Sequence, residues 1–244
     1  MTLENSLSGK VVLVTGASRG IGYQAAKEAA RRGAHVIAVA RTVGGLEELD
    51  DEIQAAGGST TLVPLDIRDG DGIDRLGAAI FERWKKLDGL VANAGMLATL
   101  SPVPHVELKE FEQSFAINVT ANYRLIRSLD VLLRQAEAGR AVFVSSSSAR
   151  SAKAFWGPYA ASKAALEAMV KSYAAEVATT NLRVNLFYPG AVRTAMRAKA
   201  YPGEDAATLP MPKDIVGKLI DMIEPGFSQN RALYDFESGA FQPA

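Results

Sequence analysis

Residues 11–22 read VVLVTGASRGIG: a β-branched apolar run, glycines at Gly16, Gly20 and Gly22, then an Ala-rich segment with helical spacing. That is a strand, a tight turn and the start of a helix, the opening half of a βαβ unit. Gly16 permits a sharp turn, Gly20 lets the backbone approach a bound group, and Gly22 allows helix and strand to pack closely. A helix N-terminus adds free N–H groups and the positive end of a dipole, which suits a pyrophosphate. Short glycine patterns alone are weak evidence. Here the strand before and the amphipathic helix after are both present. The turn is therefore read as a dinucleotide-binding element, with contacts from Gly16, Ser18, Arg19, Gly20, Ile21 and Gly22.

The rest of the chain repeats the alternation. Apolar runs at residues 11–14, 35–40, 60–65, 89–92, 141–145 and 182–187, with a weaker one at 232–236, are separated by helical segments at 21–32, 45–56, 70–85, 107–136 and 157–179. The first six runs are nearly continuous in apolarity, as expected of strands covered on both faces. The fold class is thus α/β: a three-layer, doubly wound parallel sheet of the Rossmann-like kind, about seven strands, in one domain over residues 1–244. Residues 193–212 lose the pattern and hold three prolines. A long irregular excursion after a late strand is expected to be a substrate lid, over about residues 191–212.

Bulk properties close off other classes. Lys+Arg and Asp+Glu balance at 27 each, so no basic excess argues for nucleic acid. There is no cysteine, which removes disulfide and thiol chemistry. Residues 1–10 are polar and fit neither a signal nor a transit peptide. The longest uncharged stretch, 89–104, holds Asn93, Gly95, Ser101 and two prolines and does not suit a membrane span. A cytoplasmic protein is the expectation. His35 opens a strand and His105 sits in a loop; with no clustered ligands, no metal site is expected.

The glycine spacing is Gly-x3-Gly-x-Gly, and with Thr15 before it this resembles the signature of the short-chain dehydrogenase/reductase family. The resemblance continues through Ala92-Asn93-Ala94-Gly95, Asn118, Ser146, the Tyr159–Lys163 pair and Pro189-Gly190, in the family's order. It implies a nicotinamide dinucleotide and hydride transfer between a carbonyl and an alcohol. By the same resemblance, Asp66 at the end of the third strand contacts the adenine beside Ile67, and Asn93, Ala94 and Gly95 line the cofactor cleft. Pro189, Gly190, the backbone of Val192 and Thr194 flank the nicotinamide. Asp66 also suits a helix N-cap.

The end of the second strand reads Val39-Ala40-Arg41-Thr42. A carboxylate there would accept from a ribose 2′-hydroxyl and repel a 2′-phosphate. None is present, and the fork of Arg41 suits a phosphate, with Arg19 as a second cation. Each arginine alone reads as a solvated surface charge; together, with the acid missing, they make NADP(H) the expected cofactor, with NAD(H) possible.

Tyr159 and Lys163 lie four apart on one helical face, as do Tyr23 and Lys27, so only context selects the former pair. A nearby ammonium favours phenolate and is expected to lower the tyrosine's pKa. The resemblance makes Tyr159 the general acid/base, shared between cofactor and substrate, with Lys163 beside it. It makes Ser146, thirteen residues earlier, the group that polarises the substrate oxygen. Asn118, which otherwise kinks or caps a helix, becomes the anchor of a water relay to Lys163. Ser148, Met96, Trp156 and Met196 are candidate substrate walls, though packing explains the apolar ones equally well.

The resemblance weakens at the tail. Family members end in a Val-Asp-Gly-Gly-like segment that builds a tetramer interface; here residues 231–241 read RALYDFESGAF. A homodimer through the helices at 107–136 and 157–179 is expected, and a tetramer is in doubt. Two rival functions share the fold. A cofactor-binding sensor has no need for the Ser146, Tyr159, Lys163 and Asn118 set, and a nucleotide-sugar epimerase needs more chain than the roughly fifty residues after Gly190.

Overall fold

Continuous runs of β-branched residues dictate strands whose alternate side chains enter opposite layers. In a computed structural model, which describes residues 5–242, the strands are β1 (Val11–Thr15), β2 (His35–Ala40), β3 (Ser59–Pro64), β4 (Gly89–Ala92), β5 (Arg140–Val144), β6 (Arg183–Tyr188), β7 (Leu233–Asp235) and β8 (Ala240–Gln242). Between them run α1 (Gly20–Arg31), α2 (Val43–Ala55), α3 (Gly70–Trp84), α4 (Leu108–Phe115), α5 (Ala121–Gln135), α6 (Ser148–Ser151), α7 (Gly157–Glu176), α8 (Ala195–Ala200) and α9 (Pro212–Asp221). The reading of the extreme N-terminus falls partly on residues 1–4, which lie outside the described residues.

The sheet order is β3-β2-β1-β4-β5-β6-β7-β8. All neighbours are parallel except the last pair, which is antiparallel. The expectation of about seven strands thus becomes eight: the tail after β7 turns at Gly239 and adds an edge strand too short to register as a pattern. Alternation along β1 sends Val11 and Leu13 into one layer with Ile73, Leu125 and Leu166 of α3, α5 and α7. Val12 and Val14 face the other, against Ala25, Leu49 and Ile215 of α1, α2 and α9. Both faces are covered, which is why the strand sequences are apolar throughout.

Three local features depart from the sequence reading. The segment at 107–136 is not one helix: residues 116–120 form a π turn between α4 and α5, in which the Ala121 N–H donates to the Ala116 carbonyl. Asp66 does not cap α3; that role belongs to Asp69, which accepts from the Gly72 N–H at 2.9 Å. The Asp66 carboxylate instead accepts from the backbone and guanidinium of Arg68. Finally, the excursion after β6 is not wholly irregular, since it contains α8, capped by the Thr194 hydroxyl accepting from the Arg197 N–H.

From β1 the chain winds outward to β2 and β3, then crosses back to β4 on the other side. The crevice opens at this switch point, outside the carboxyl ends of β1 and β4.

Candidate active site

The glycine turn and the segment after β4 are fastened to each other. The Thr15 hydroxyl accepts from the N–H groups of Asn93 and Ala94, both at 3.0 Å, and the Asn93 amide donates to the Thr15 carbonyl. Gly16 and Gly20 have φ of +69° and +61°, which favours glycine. A Cβ on Gly22 would sit 2.3 Å from the Gly16 carbonyl oxygen, and one on Gly16 would sit 2.9 Å from the Asn93 amide nitrogen. Gly16 and Gly22 are therefore required by close packing in the turn, and Gly20 is favoured by its left-handed backbone.

This turn forms one end of a cavity of about 600 Å³. Along its walls lie Gly16, Ser18, Arg19, Gly20 and Ile21, then Arg41, Asp66 and Ile67, then Asn93, Ala94 and Gly95, and finally Tyr159, Lys163, Pro189 and Thr194. The expected nucleotide contacts are thus brought together, apart from Gly22, Gly190 and Val192, which do not line the cavity. Arg41 is 60% exposed and only loosely placed by Asp66 at 3.9 Å. A nicotinamide dinucleotide fits this arrangement: a glycine cradle in which Gly16 and Gly22 have no room for a side chain, and two arginines on the wall where β2 ends without an acid.

At the other end, α7 presents Tyr159 and Lys163, both buried. The Lys163 ammonium lies 5.9 Å from the Tyr159 ring centroid and donates to the Val144 carbonyl at 2.9 Å. The Tyr23 and Lys27 pair repeats the 5.9 Å geometry, but Lys27 is paired with Glu52 on the outer surface. Burial pushes the Tyr159 phenol up, and the Ser146 hydroxyl, bonded to it, draws it partly back. Burial pulls Lys163 down to about 8 while Glu167 opposes the shift. The expectation that the ammonium lowers the phenol's pKa is therefore reversed in the protein alone: desolvation dominates, and the ammonium is directed at a carbonyl.

Asn118, in the π turn, is fully buried. Its amide donates to the Met96 carbonyl and the Ser162 hydroxyl and accepts from the Met96 N–H. A Cβ on Gly95 would lie 3.2 Å from the Asn118 oxygen and 3.5 Å from the Lys163 nitrogen. Asn118 and Lys163 thus flank the backbone at Gly95.

The substrate candidates divide. Met96 and Met196 line the cavity, joined by Leu97, another apolar residue open to either packing or substrate contact, and by Ile117 and Lys199. Ser146, Ser148 and Trp156 do not line it, whereas Ser145 does. Ser148 is buried at the start of α6, its carbonyl accepting from Ala152. Trp156 packs instead between Tyr159 and Tyr201, each 5.8 Å away, which ties α7 to the segment after α8. Arg197 stacks on Tyr201 and pairs with Glu204 through both arms of its guanidinium.

A smaller cavity of about 240 Å³ between α1, α2 and α9 is bordered by Lys27, Glu28, Arg31 and Glu52 and shares no lining residue with the larger one. Among the described residues, no helix is long and apolar enough to cross a membrane.

Comparison with known proteins shows which family the chain belongs to. The sequence model of the short chain dehydrogenase family matches residues 10–205. The chain is 38% identical over 216 residues to YciK, an uncharacterized oxidoreductase of Escherichia coli K12, covering 87% of this chain and 85% of that one. A Shigella flexneri 2a protein described as a short chain dehydrogenase, its structure complexed with NADP, has a TM-score of 0.92 at 35% identity, covering 96% and 99% of the two chains. One from E. coli CFT073, complexed with NADPH, has a TM-score of 0.89 at 35% identity, covering 95% and 98%. The chain belongs to the short-chain dehydrogenase/reductase family and is an oxidoreductase of that family.

Proposed function

We propose that the protein is an NADP(H)-preferring oxidoreductase that interconverts a carbonyl and an alcohol, with Tyr159 as general acid/base. The observation that carries this reading is one continuous cavity joining Arg19 and Arg41 at one end to Tyr159 and Lys163 at the other. The two structures complexed with NADP and NADPH support the cofactor preference.

Gly16, Gly20 and the start of α1 would hold the pyrophosphate, Arg19 and Arg41 the 2′-phosphate, and Pro189 and Thr194 the nicotinamide end. When bound, NADPH supplies a hydride to the carbonyl carbon. The substrate oxygen is held between the Ser146 hydroxyl and the Tyr159 phenol. The phenol carries its proton at neutral pH and is bonded to the Ser146 hydroxyl, so it can donate that proton to the oxygen as the alcohol forms. Lys163, held against the Val144 carbonyl, and Asn118 lie on the path by which the proton is resupplied. In the reverse direction Tyr159 accepts the alcohol proton.

The segment at 191–212, carrying Met196 and Lys199 over the cavity, acts as the lid. Met96, Leu97, Ile117 and Met196 favour a moderately hydrophobic substrate. Tyr123 and Val131, exposed on α5, support the homodimer through α5 and α7, which light scattering on the purified protein checks.

The test is to titrate NADPH and NADH into the protein and then follow NADPH absorbance against a panel of ketones and aldehydes. Tighter NADPH binding and turnover of a panel member are expected. Tighter NADH binding overturns the roles of Arg19 and Arg41.

A further inference from the structure

Glu167 is a carboxylate buried to 4% exposure, one helical turn beyond Lys163 on α7. A carboxylate removed from water is costly unless it is bonded and paired, and this one is fully engaged. One of its oxygens accepts from the Ser145 hydroxyl at 2.8 Å and from the Tyr188 phenol at 2.5 Å. The other faces Lys171 at 3.6 Å and Arg150 at 4.0 Å.

These partners are not scattered. Ser145 stands between Val144, whose carbonyl holds Lys163, and Ser146. Tyr188 immediately precedes Pro189-Gly190. One carboxylate therefore joins the ends of β5 and β6 to the helix that carries Tyr159 and Lys163. We propose that Glu167 is a positioning residue for the reaction: it locks Ser146 and the Pro189 turn against α7 and keeps a negative charge one turn from the Lys163 ammonium. The proposal rests on the assignment of Tyr159 and Lys163 above.

The groups that face this carboxylate are Tyr188 from β6, Arg150 from α6, and Lys163 and Lys171 from α7, with Asp235 of β7 acting on Tyr188. Around Lys163 the other neighbours are the neutral Val144 carbonyl, the Asn118 amide and the Tyr159 phenol. Glu167 is thus the anionic group acting on Lys163, and it opposes the loss of that proton caused by burial.

The decisive variant is Glu167→Gln, which keeps an acceptor for Ser145 and Tyr188 and removes the charge. Two readouts are taken: the titration of Lys163 in the cofactor-free protein, by NMR of lysine labelled at the ε carbon, and the pH profile of kcat with NADPH and the best carbonyl of the panel. The Lys163 resonance is assigned by its loss in Lys163→Met. The expected result is a Lys163 titration moved down by roughly half a unit or more, with the alkaline limb of kcat moving alongside and KM for NADPH changing less than about twofold. Glu167→Asp should restore most of the shift. A Lys163 titration and kcat limb that both stay where they are in the wild type overturn the proposal.

If Glu167→Gln does not fold, the double variant Ser145→Ala/Tyr188→Phe keeps the charge and removes both hydrogen bonds. A kcat lowered about tenfold with an unmoved limb is then expected, and an unchanged kcat overturns the positioning role. Full activity of Lys163→Met would instead refute the assignment of Lys163 itself.

Discussion

The Lys163 ammonium donates to the Val144 carbonyl at 2.9 Å, so the helix bearing the reactive pair is fastened to the end of β5 one residue before the serine run. That bond exists at the cost of burying a cation, and the protein's stability should reveal it. Lys163 is held down at about 8, against 10.5 for an unburied lysine. The unfolded chain therefore binds the proton more tightly between these values, and stability attributable to Lys163 rises as pH increases from about 8 to 10.5. Urea unfolding of wild type and Lys163→Met should give a difference that moves in favour of the wild type by on the order of 3 kcal/mol across that window. A difference that is flat with pH would contradict the burial of a charged lysine.

The glycines of the turn should not be equivalent. A Cβ on Gly22 meets a backbone oxygen at 2.3 Å, whereas one on Gly20 meets only the Thr194 methyl at 3.6 Å. Gly22→Ala is expected to destabilise by about 2–3 kcal/mol through overpacking and to abolish NADPH binding. Gly20→Ala should cost about 1 kcal/mol for its left-handed backbone. Thermal unfolding and NADPH titration of the two variants check the order.

Cofactor choice should be altered at Arg41 without harm to the fold, because its side chain is 60% exposed and its ion pair with Asp66 is loose, at 3.9 Å. Arg41→Ala is expected to weaken NADPH by about 10–100-fold, the worth of a charge-assisted bond, while NADH binding stays within about twofold. Fluorescence titration with both nucleotides measures the ratio.

Much of this was legible in the sequence because the signals were local. The glycine turn, the six parallel strands and the Tyr159 and Lys163 spacing each depend on residues close along the chain. What was missed depends on distant ones. Glu167 reads as an ordinary helical acid until Ser145 and Tyr188 are brought to it from two strands; its four-residue offset from Lys163 was the only available hint. The π turn at 116–120 leaves no mark on apolar periodicity, because a single extra residue merely rotates the stripe. Asp66 and Asp69 are both plausible caps, and only the path of the loop chose between them. For Trp156 the sequence leaves cavity wall and packing equally open, and Tyr201, forty-five residues on, decides by drawing it toward the segment after α8.

The central claim is that Tyr159 moves the proton. Tyr159→Phe removes one oxygen from a buried site and leaves the glycine turn and both arginines in place. With NADPH and the best carbonyl of the panel, kcat is expected to fall by roughly 10²–10⁴-fold, the usual contribution of a general acid, while the Kd for NADPH stays within about threefold. A variant that reduces the same carbonyl at the wild-type rate would contradict the mechanism.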